Sequence, residues 1–244
     1  MDRLSHRLDG AQACLFDLDG VLTPTAAIHQ RAWGNLFTQV FTKYPGVKDY
    51  CEADYFALVD GKPRYDGVSA VLASREITVP QGNSSDPDTE ETICGMGNLK
   101  DSLFLEELAG SHLEAYPGSL RFLTAAKTAG LKLAVVSSSK NAPLILTTVG
   151  IMDEFDVIID GTLSDEIGLP GKPDPATYNE AAERLGIDPR KAIIVEDALS
   201  GVEAGRRGGF GWVVGVDRGV GTEALLDHGA SIAVKDLYDL VEER

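Results

Sequence analysis

Residues 11–21 read Ala-Gln-Ala-Cys-Leu-Phe-Asp-Leu-Asp-Gly-Val: an apolar run that ends abruptly in two carboxylates with one residue between them, and then a glycine. Runs of the same character recur at 131–136, 155–159, 192–195 and 212–216. Each is short, rich in Val, Ile or Leu, and free of polar alternation, which is the pattern of strands buried on both faces of a parallel sheet. Helical segments separate them. Residues 119–129 stop at Gly130, 143–149 stop at Gly150, and 175–185 stop at Gly186 with Asp174 placed as the N-cap. Strand and helix alternate from about residue 118 to the end, which predicts an α/β fold built on a doubly wound parallel sheet.

Between the first strand and that alternation the rhythm changes. Residues 26–41, 53–59, 66–74 and 99–108 carry helical patterning, no segment reads as a buried strand, and the polar stretch 81–88 reads as an exposed loop. The expected organisation is a core domain of residues 1–24 and 111–244 with a helical cap, residues 25–110, inserted after the first strand. The two connections fall near 23–24 and 114–117. The acidic end, residues 236–244, reads as a solvated last helix.

The 244 residues are 43% hydrophobic and 25% charged, ordinary for a soluble globular protein, and carry a formal charge of −16 from 38 acidic and 22 basic side chains. So acidic a surface repels nucleic acid and anionic lipid, and neither is expected as a partner. A phosphorylated metabolite would need a local positive group or a metal ion to bind. Cys14, Cys51 and Cys94 are scattered and odd in number, which implies neither a disulfide framework nor a metal site and points to a reducing compartment, the cytoplasm. The first residues lack the apolar stretch of a signal peptide, and no uncharged run approaches the roughly 20 residues of a membrane span. Without a long exposed apolar stripe, a monomer is expected.

In doubly wound sheets ligands bind at the carboxyl ends of the strands. The first strand ends in Asp17-Leu18-Asp19-Gly20 and the second in Ser137-Ser138-Ser139-Lys140-Asn141; Lys172 follows the third, and the fourth ends in Glu196-Asp197. Each motif alone is ordinary, since Asp and Ser cap helices and loop lysines are usually solvated. Together they gather carboxylates, hydroxyls and a lysine at one sheet edge, a set that suits a hard cation and a phosphate.

These four motifs, in this order, resemble the haloacid dehalogenase superfamily, and the chain is similar to its β-phosphoglucomutase-like branch over nearly its whole length. The resemblance implies a Rossmann-like core, a sugar phosphate as small-molecule substrate, and Mg²⁺ held by Asp17, the Asp19 backbone carbonyl, Glu196 and Asp197. It implies Asp17 as nucleophile and Asp19 as general acid/base, with Ser137 and Lys172 gripping the transferring phosphoryl group and Ser139 and Asn141 beside them.

The motifs are common to mutases and phosphatases, so the acceptor must be read in the cap. Thr25, His29, Arg31, Ala32 and Trp33 stand in the pattern T-x-x-x-H-x-R-A-W, and residues 60–67 read Asp-Gly-Lys-Pro-Arg-Tyr-Asp-Gly. Both resemble the β-phosphoglucomutases, which implies that His29 couples cap closure to the acid/base and that Arg64, supported by Lys100, clamps the substrate's second phosphate. Two positions depart from the pattern: Pro24, where an acid is frequent, and Asn98-Leu99-Lys100-Asp101, where relatives commonly show Arg-Lys-Asn. The expected reaction is interconversion of β-glucose 1-phosphate and glucose 6-phosphate through glucose 1,6-bisphosphate; the alternative is hydrolysis of a sugar phosphate or similar small metabolite. Trp33, Phe37 and Phe41 recur at helical spacing and read as core.

Overall fold

The computed structural model describes residues 2–242. By contact the chain falls into two compact units: the chain up to Pro24 with everything from Leu113 onward, and Thr25–His112.

The first unit is built on a six-stranded parallel sheet: β1 (Ala13–Phe16), β2 (Lys132–Val136), β3 (Val157–Ile159), β4 (Ala192–Glu196), β5 (Trp212–Val216) and β6 (Ile232–Val234). Their order across the sheet is β3-β2-β1-β4-β5-β6. The order reverses direction at β1, so its carboxyl end is the topological switch point where a doubly wound sheet opens a crevice. Every residue of β1 and β4 is buried, because helices cover both sheet faces and an apolar side chain on either face leaves water. Leu15, Ala134, Tyr178, Ile194 and Val202 belong to the resulting core.

Register carries the motifs to one edge. Phe16 lies level with Val135 on one side and Val195 on the other. One residue further on, Asp17 still donates its N–H to the Val195 carbonyl at 2.9 Å, and Ser137 donates to Ile159 at 2.9 Å. The side chains that follow the strands are therefore held by the last rungs of the ladder.

Lys172 does not follow β3 directly. A helix, Gly161–Ile167, intervenes, capped by the Asp160 carboxylate on the Leu163 N–H; at seven residues it is too short to reveal its period in sequence. The helix expected from 175 runs Ala176–Leu185, with the Asp174 carboxylate accepting from the Ala176 N–H at 2.9 Å. The expected last helix is corrected. Residues Leu237–Leu240 form one 3-10 turn, and Val241–Glu242 then pairs antiparallel with Arg3–Leu4. The Asp236 carboxylate starts that turn by accepting from the Tyr238 N–H, and the pairing with the amino-terminal segment draws the chain out of helix. Residues 243–244 of that expectation lie outside the described residues.

The second unit is helical. Thr25–Phe41 packs on Ile93–Ala109, and Arg64–Ala73 packs on the same partner. Trp33, Leu36, Phe37, Val40, Val68 and Leu72 bury its core, as the helical spacing of the aromatics predicts. Residues 53–59 are not one α-helix; a single turn, Glu52–Asp54, passes into a π-helical turn at Tyr55–Val59.

Candidate active site

At the carboxyl edge of β1, β2 and β4 the structure brings together Asp17, Asp19, Ser137, Lys172, Glu196 and Asp197. Lys172 is the hub. Its ammonium donates to Asp17 Oδ1 at 2.6 Å, to Glu196 Oε1 at 2.6 Å and to the Val136 carbonyl at 3.1 Å, with only 3% of the residue exposed. Burial disfavours its charge, but the Asp17 and Glu196 carboxylates outweigh this and hold its pKa above the usual lysine value. Asp17 is in the opposite position. Burial pushes its carboxyl well above the ordinary range, Lys172 pulls it back, and Glu196 and Asp19 push it up again.

Oxygen atoms of Asp17, Glu196 and Asp197 all lie within 4.8 Å of one another, and all three residues are buried. One lysine cannot balance them, and the half-buried Asp19 adds a further carboxylate. A cation would relieve like charges so placed, and an all-oxygen donor set is the kind that could hold a hard divalent ion.

Ser137 links the second strand to this group: its hydroxyl lies 3.5 Å from Asp19 Oδ2 and accepts the Ser139 N–H at 3.1 Å. The next hydroxyl repeats the motif, Ser139 Oγ accepting the Asn141 N–H at 3.1 Å. Asn141 stands at the N-cap position of helix Ala142–Thr148. The serine-rich stretch is thus a stepped turn that sets the buried Ser137 hydroxyl beside Asp19, a group of the kind that binds a phosphate oxygen.

Tyr178 was not anticipated from the sequence, where it is one apolar position in a helix. Its hydroxyl donates to Glu196 Oε1 at 2.5 Å, and the Lys172 ammonium lies 5.0 Å from its ring centroid. The residue is fully buried, which raises its pKa well above the ordinary phenol value, with Glu196 adding to the effect. Gly201 is likewise a site residue that the sequence hides: a Cβ there would lie 1.8 Å from Glu196 Oε1. The signals available were a phenol three positions beyond Pro175 and a glycine in the first turn after Glu196-Asp197, neither distinctive without the fold.

His29, Arg64 and Lys100 belong to the other unit and fall into two groups there. The buried Lys100 ammonium lies 2.5 Å from His29 Nδ1, so a neutral His29 accepts at that nitrogen. The His29 ring stacks on Phe104 with centroids 4.0 Å apart, and Lys100 also faces the Trp33 and Phe104 rings. Arg64 is paired with Asp101 at 2.7 Å, both side chains largely buried. Lys100, expected to support Arg64, is therefore engaged with His29, and the residue beside Arg64 is an acid.

A parallel α/β unit whose switch-point strand ends in paired aspartates, tied through a buried lysine to an acidic pair at the end of the neighbouring strand β4, defines a class of phosphoryl-transfer enzymes. A model of the haloacid dehalogenase-like hydrolases matches residues 11–209. The chain is 43% identical to a β-phosphoglucomutase of Mycobacterium tuberculosis over 94% of its own length and 91% of that protein's. It is 30% identical to a phosphorylated carbohydrates phosphatase of Thermotoga maritima, covering 92% of this chain and 94% of the relative. Among solved structures, a β-phosphoglucomutase from Clostridium difficile superimposes with a TM-score of 0.75 at 27% identity, over 94% of this chain and 93% of that one. The chain belongs to the haloacid dehalogenase-like hydrolases, in the β-phosphoglucomutase-like subfamily, and is an enzyme. Among the described residues no helix is long and apolar enough to cross a membrane.

Proposed function

We propose that the chain is a β-phosphoglucomutase that interconverts β-glucose 1-phosphate and glucose 6-phosphate by way of a phosphoryl group carried on Asp17. The observation that carries the reading is the buried Asp17–Lys172–Glu196 network at the switch point of the sheet. A carboxylate held against a lysine whose charged form its neighbours favour can approach phosphorus without the full repulsion of two anions.

In the forward half-reaction a carboxylate oxygen of Asp17 attacks phosphorus and the bond from phosphorus to the bridging oxygen breaks. Asp19 gives its proton to that departing oxygen. In the second half an acceptor hydroxyl attacks the phosphoryl group on Asp17 while Asp19, now ionised, takes the hydroxyl's proton, so the enzyme returns to its starting state. Lys172 and the Ser137 hydroxyl hold the equatorial oxygens as charge moves between them. The carboxylates of Asp17, Glu196 and Asp197, with the Asp19 carbonyl, are the ligands proposed for Mg²⁺. Bound there, the ion supplies charge neutralisation of the phosphate and of the crowded carboxylates. In the helical unit we assign Arg64 to the substrate's second phosphate, and His29 with Lys100 to the sugar.

Hydrolysis of a sugar phosphate is the second reading, favoured by the Arg64–Asp101 ion pair, which a second phosphate would have to displace. The test is turnover of β-glucose 1-phosphate with Mg²⁺ and a trace of glucose 1,6-bisphosphate, following glucose 6-phosphate and free phosphate together. Fast glucose 6-phosphate formation with little free phosphate supports the mutase; free phosphate without glucose 6-phosphate replaces it with the phosphatase.

A further inference from the structure

The fifth strand end is not among the four read from the motifs, yet a residue from it reaches the catalytic loop. β5 ends at Val216, and the next turn is fixed by Asp217, whose Oδ1 accepts the N–H groups of Gly219 and Gly221, each at 3.0 Å, while Oδ2 accepts the Thr222 hydroxyl. Arg218, held in this turn, donates Nε–H to the carbonyl of Gly20 at 2.7 Å and Nη1–H to that of Lys235 at 3.2 Å. Its guanidinium carbon lies 4.0 Å from the Tyr116 ring centroid, a stacked arrangement that fixes the plane of the fork.

We infer that Arg218 is a positioning residue for phosphoryl transfer, setting the Asp19–Gly20 segment by holding the Gly20 carbonyl. This rests on the role proposed for Asp19. The Gly20 N–H, part of the same peptide plane as the Asp19 carbonyl, is bonded to the Thr23 carbonyl at 2.7 Å. Gly20 itself has φ +84°, a conformation open to glycine and rare for other residues. With so permissive a residue between them, the two peptide planes need an external restraint on each side. Thr23 supplies one and Arg218 the other. The neighbouring carbonyls are tied in the same manner, Val21 by the Ser119 hydroxyl at 2.6 Å and Leu22 by the Tyr116 N–H at 2.9 Å.

The experiment compares Arg218→Ala, Arg218→Lys and wild type for kcat and KM with β-glucose 1-phosphate, and with p-nitrophenyl phosphate as a donor that needs no sugar recognition. Thermal unfolding is followed in parallel. Arg218→Ala is expected to lower kcat about 100-fold with β-glucose 1-phosphate and less with p-nitrophenyl phosphate, whose nitrophenolate departs with little help from an acid, with KM within about twofold, because a small misplacement of the acid/base acts on the transition state alone. Added guanidinium salt should recover about tenfold of the loss, and Arg218→Lys should fall between the two. If kcat of Arg218→Ala with β-glucose 1-phosphate stays within about threefold of a working wild type, or if neither guanidinium nor lysine restores any of the loss, the positioning role is overturned while the parent reading stands. A wild type that takes a phosphoryl group from neither donor overturns the parent reading and the inference with it.

Discussion

Gly201 gives the sharpest structural test of the site. It lies in the first turn of helix Leu199–Arg207, where an alanine normally stabilises by about 1 kcal/mol through helix propensity. Here an added Cβ would stand 1.8 Å from Glu196 Oε1 and 2.0 Å from its Cδ, where ordinary contact begins at 3.4 Å. The carboxylate must retreat by roughly 1.6 Å in a close-packed interior. Glu196 has no exposed surface, and its Oε1 is bonded by Lys172 at 2.6 Å and Tyr178 at 2.5 Å. Its Oε2 accepts the N–H groups of Asp197 and Ala198 at 3.2 and 3.3 Å. Breaking a buried charge pair of this kind costs about 3–5 kcal/mol, so after the propensity gain Gly201→Ala should lose roughly 3 kcal/mol. Urea unfolding with and without the Glu196→Ala change measures it: with Glu196 truncated the clash has no object, and Gly201→Ala should then be neutral or stabilising. A Gly201→Ala protein as stable and active as its parent, or an equal loss in both backgrounds, would refute the reasoning.

Lys172→Met retains the stem but leaves Asp17 and Glu196 facing each other without a cation. It should lower kcat at least 1,000-fold and destabilise the protein by about 3 kcal/mol, checked by steady-state assay and urea unfolding. In the helical unit Arg75 grips Asp54 through two hydrogen bonds, at 3.0 and 2.5 Å, with both side chains largely buried, and this contact is the leading cause that holds the Asp54 carboxyl at about 2. Because the folded value lies below the ordinary one, the stabilisation is complete above about pH 5 and is lost as pH falls through 2. Arg75→Met should therefore remove roughly 2 kcal/mol at neutral pH and flatten the acid limb of a stability–pH profile. Asp101→Asn removes the acid paired with Arg64 and should tighten binding of a bisphosphate about tenfold, measured by calorimetry on an Asp17→Asn background that cannot turn over; unchanged affinity would separate Arg64 from the second phosphate.

The paired aspartates, Ser137 and Glu196-Asp197 were legible because each sits where a fully apolar strand stops and polar residues begin, and a parallel sheet sends all such endings to one edge. Residues whose role depends on close approach were not legible. Tyr178 reads as a core aromatic until Glu196 is seen beneath its hydroxyl, and Arg218 as a solvated loop arginine until its turn is placed against Gly20. Gly201 carries no sign of the carboxylate behind it. Helix Ile93–Ala109 begins six residues earlier than its pattern at 99–108 indicates. Gly95 and Gly97 look like breakers there, but they serve contact: a Cβ at Gly95 would meet the Glu90 carbonyl at 2.4 Å and one at Gly97 the Tyr65 ring at 2.5 Å. Residues 241–242 form a strand only because Arg3–Leu4 offers them a partner, which local sequence does not contain.

The central claim is that Asp17 carries the phosphoryl group. Brief incubation with glucose 1,6-bisphosphate labelled in its phosphates, an acid quench and peptide mapping test it directly. The account predicts label on the peptide containing Asp17, released by hydroxylamine as an acyl phosphate is, absent from Asp17→Asn, and lost when glucose 6-phosphate is added as acceptor. Label that persists in Asp17→Asn, or that maps to a serine and resists hydroxylamine, would contradict it.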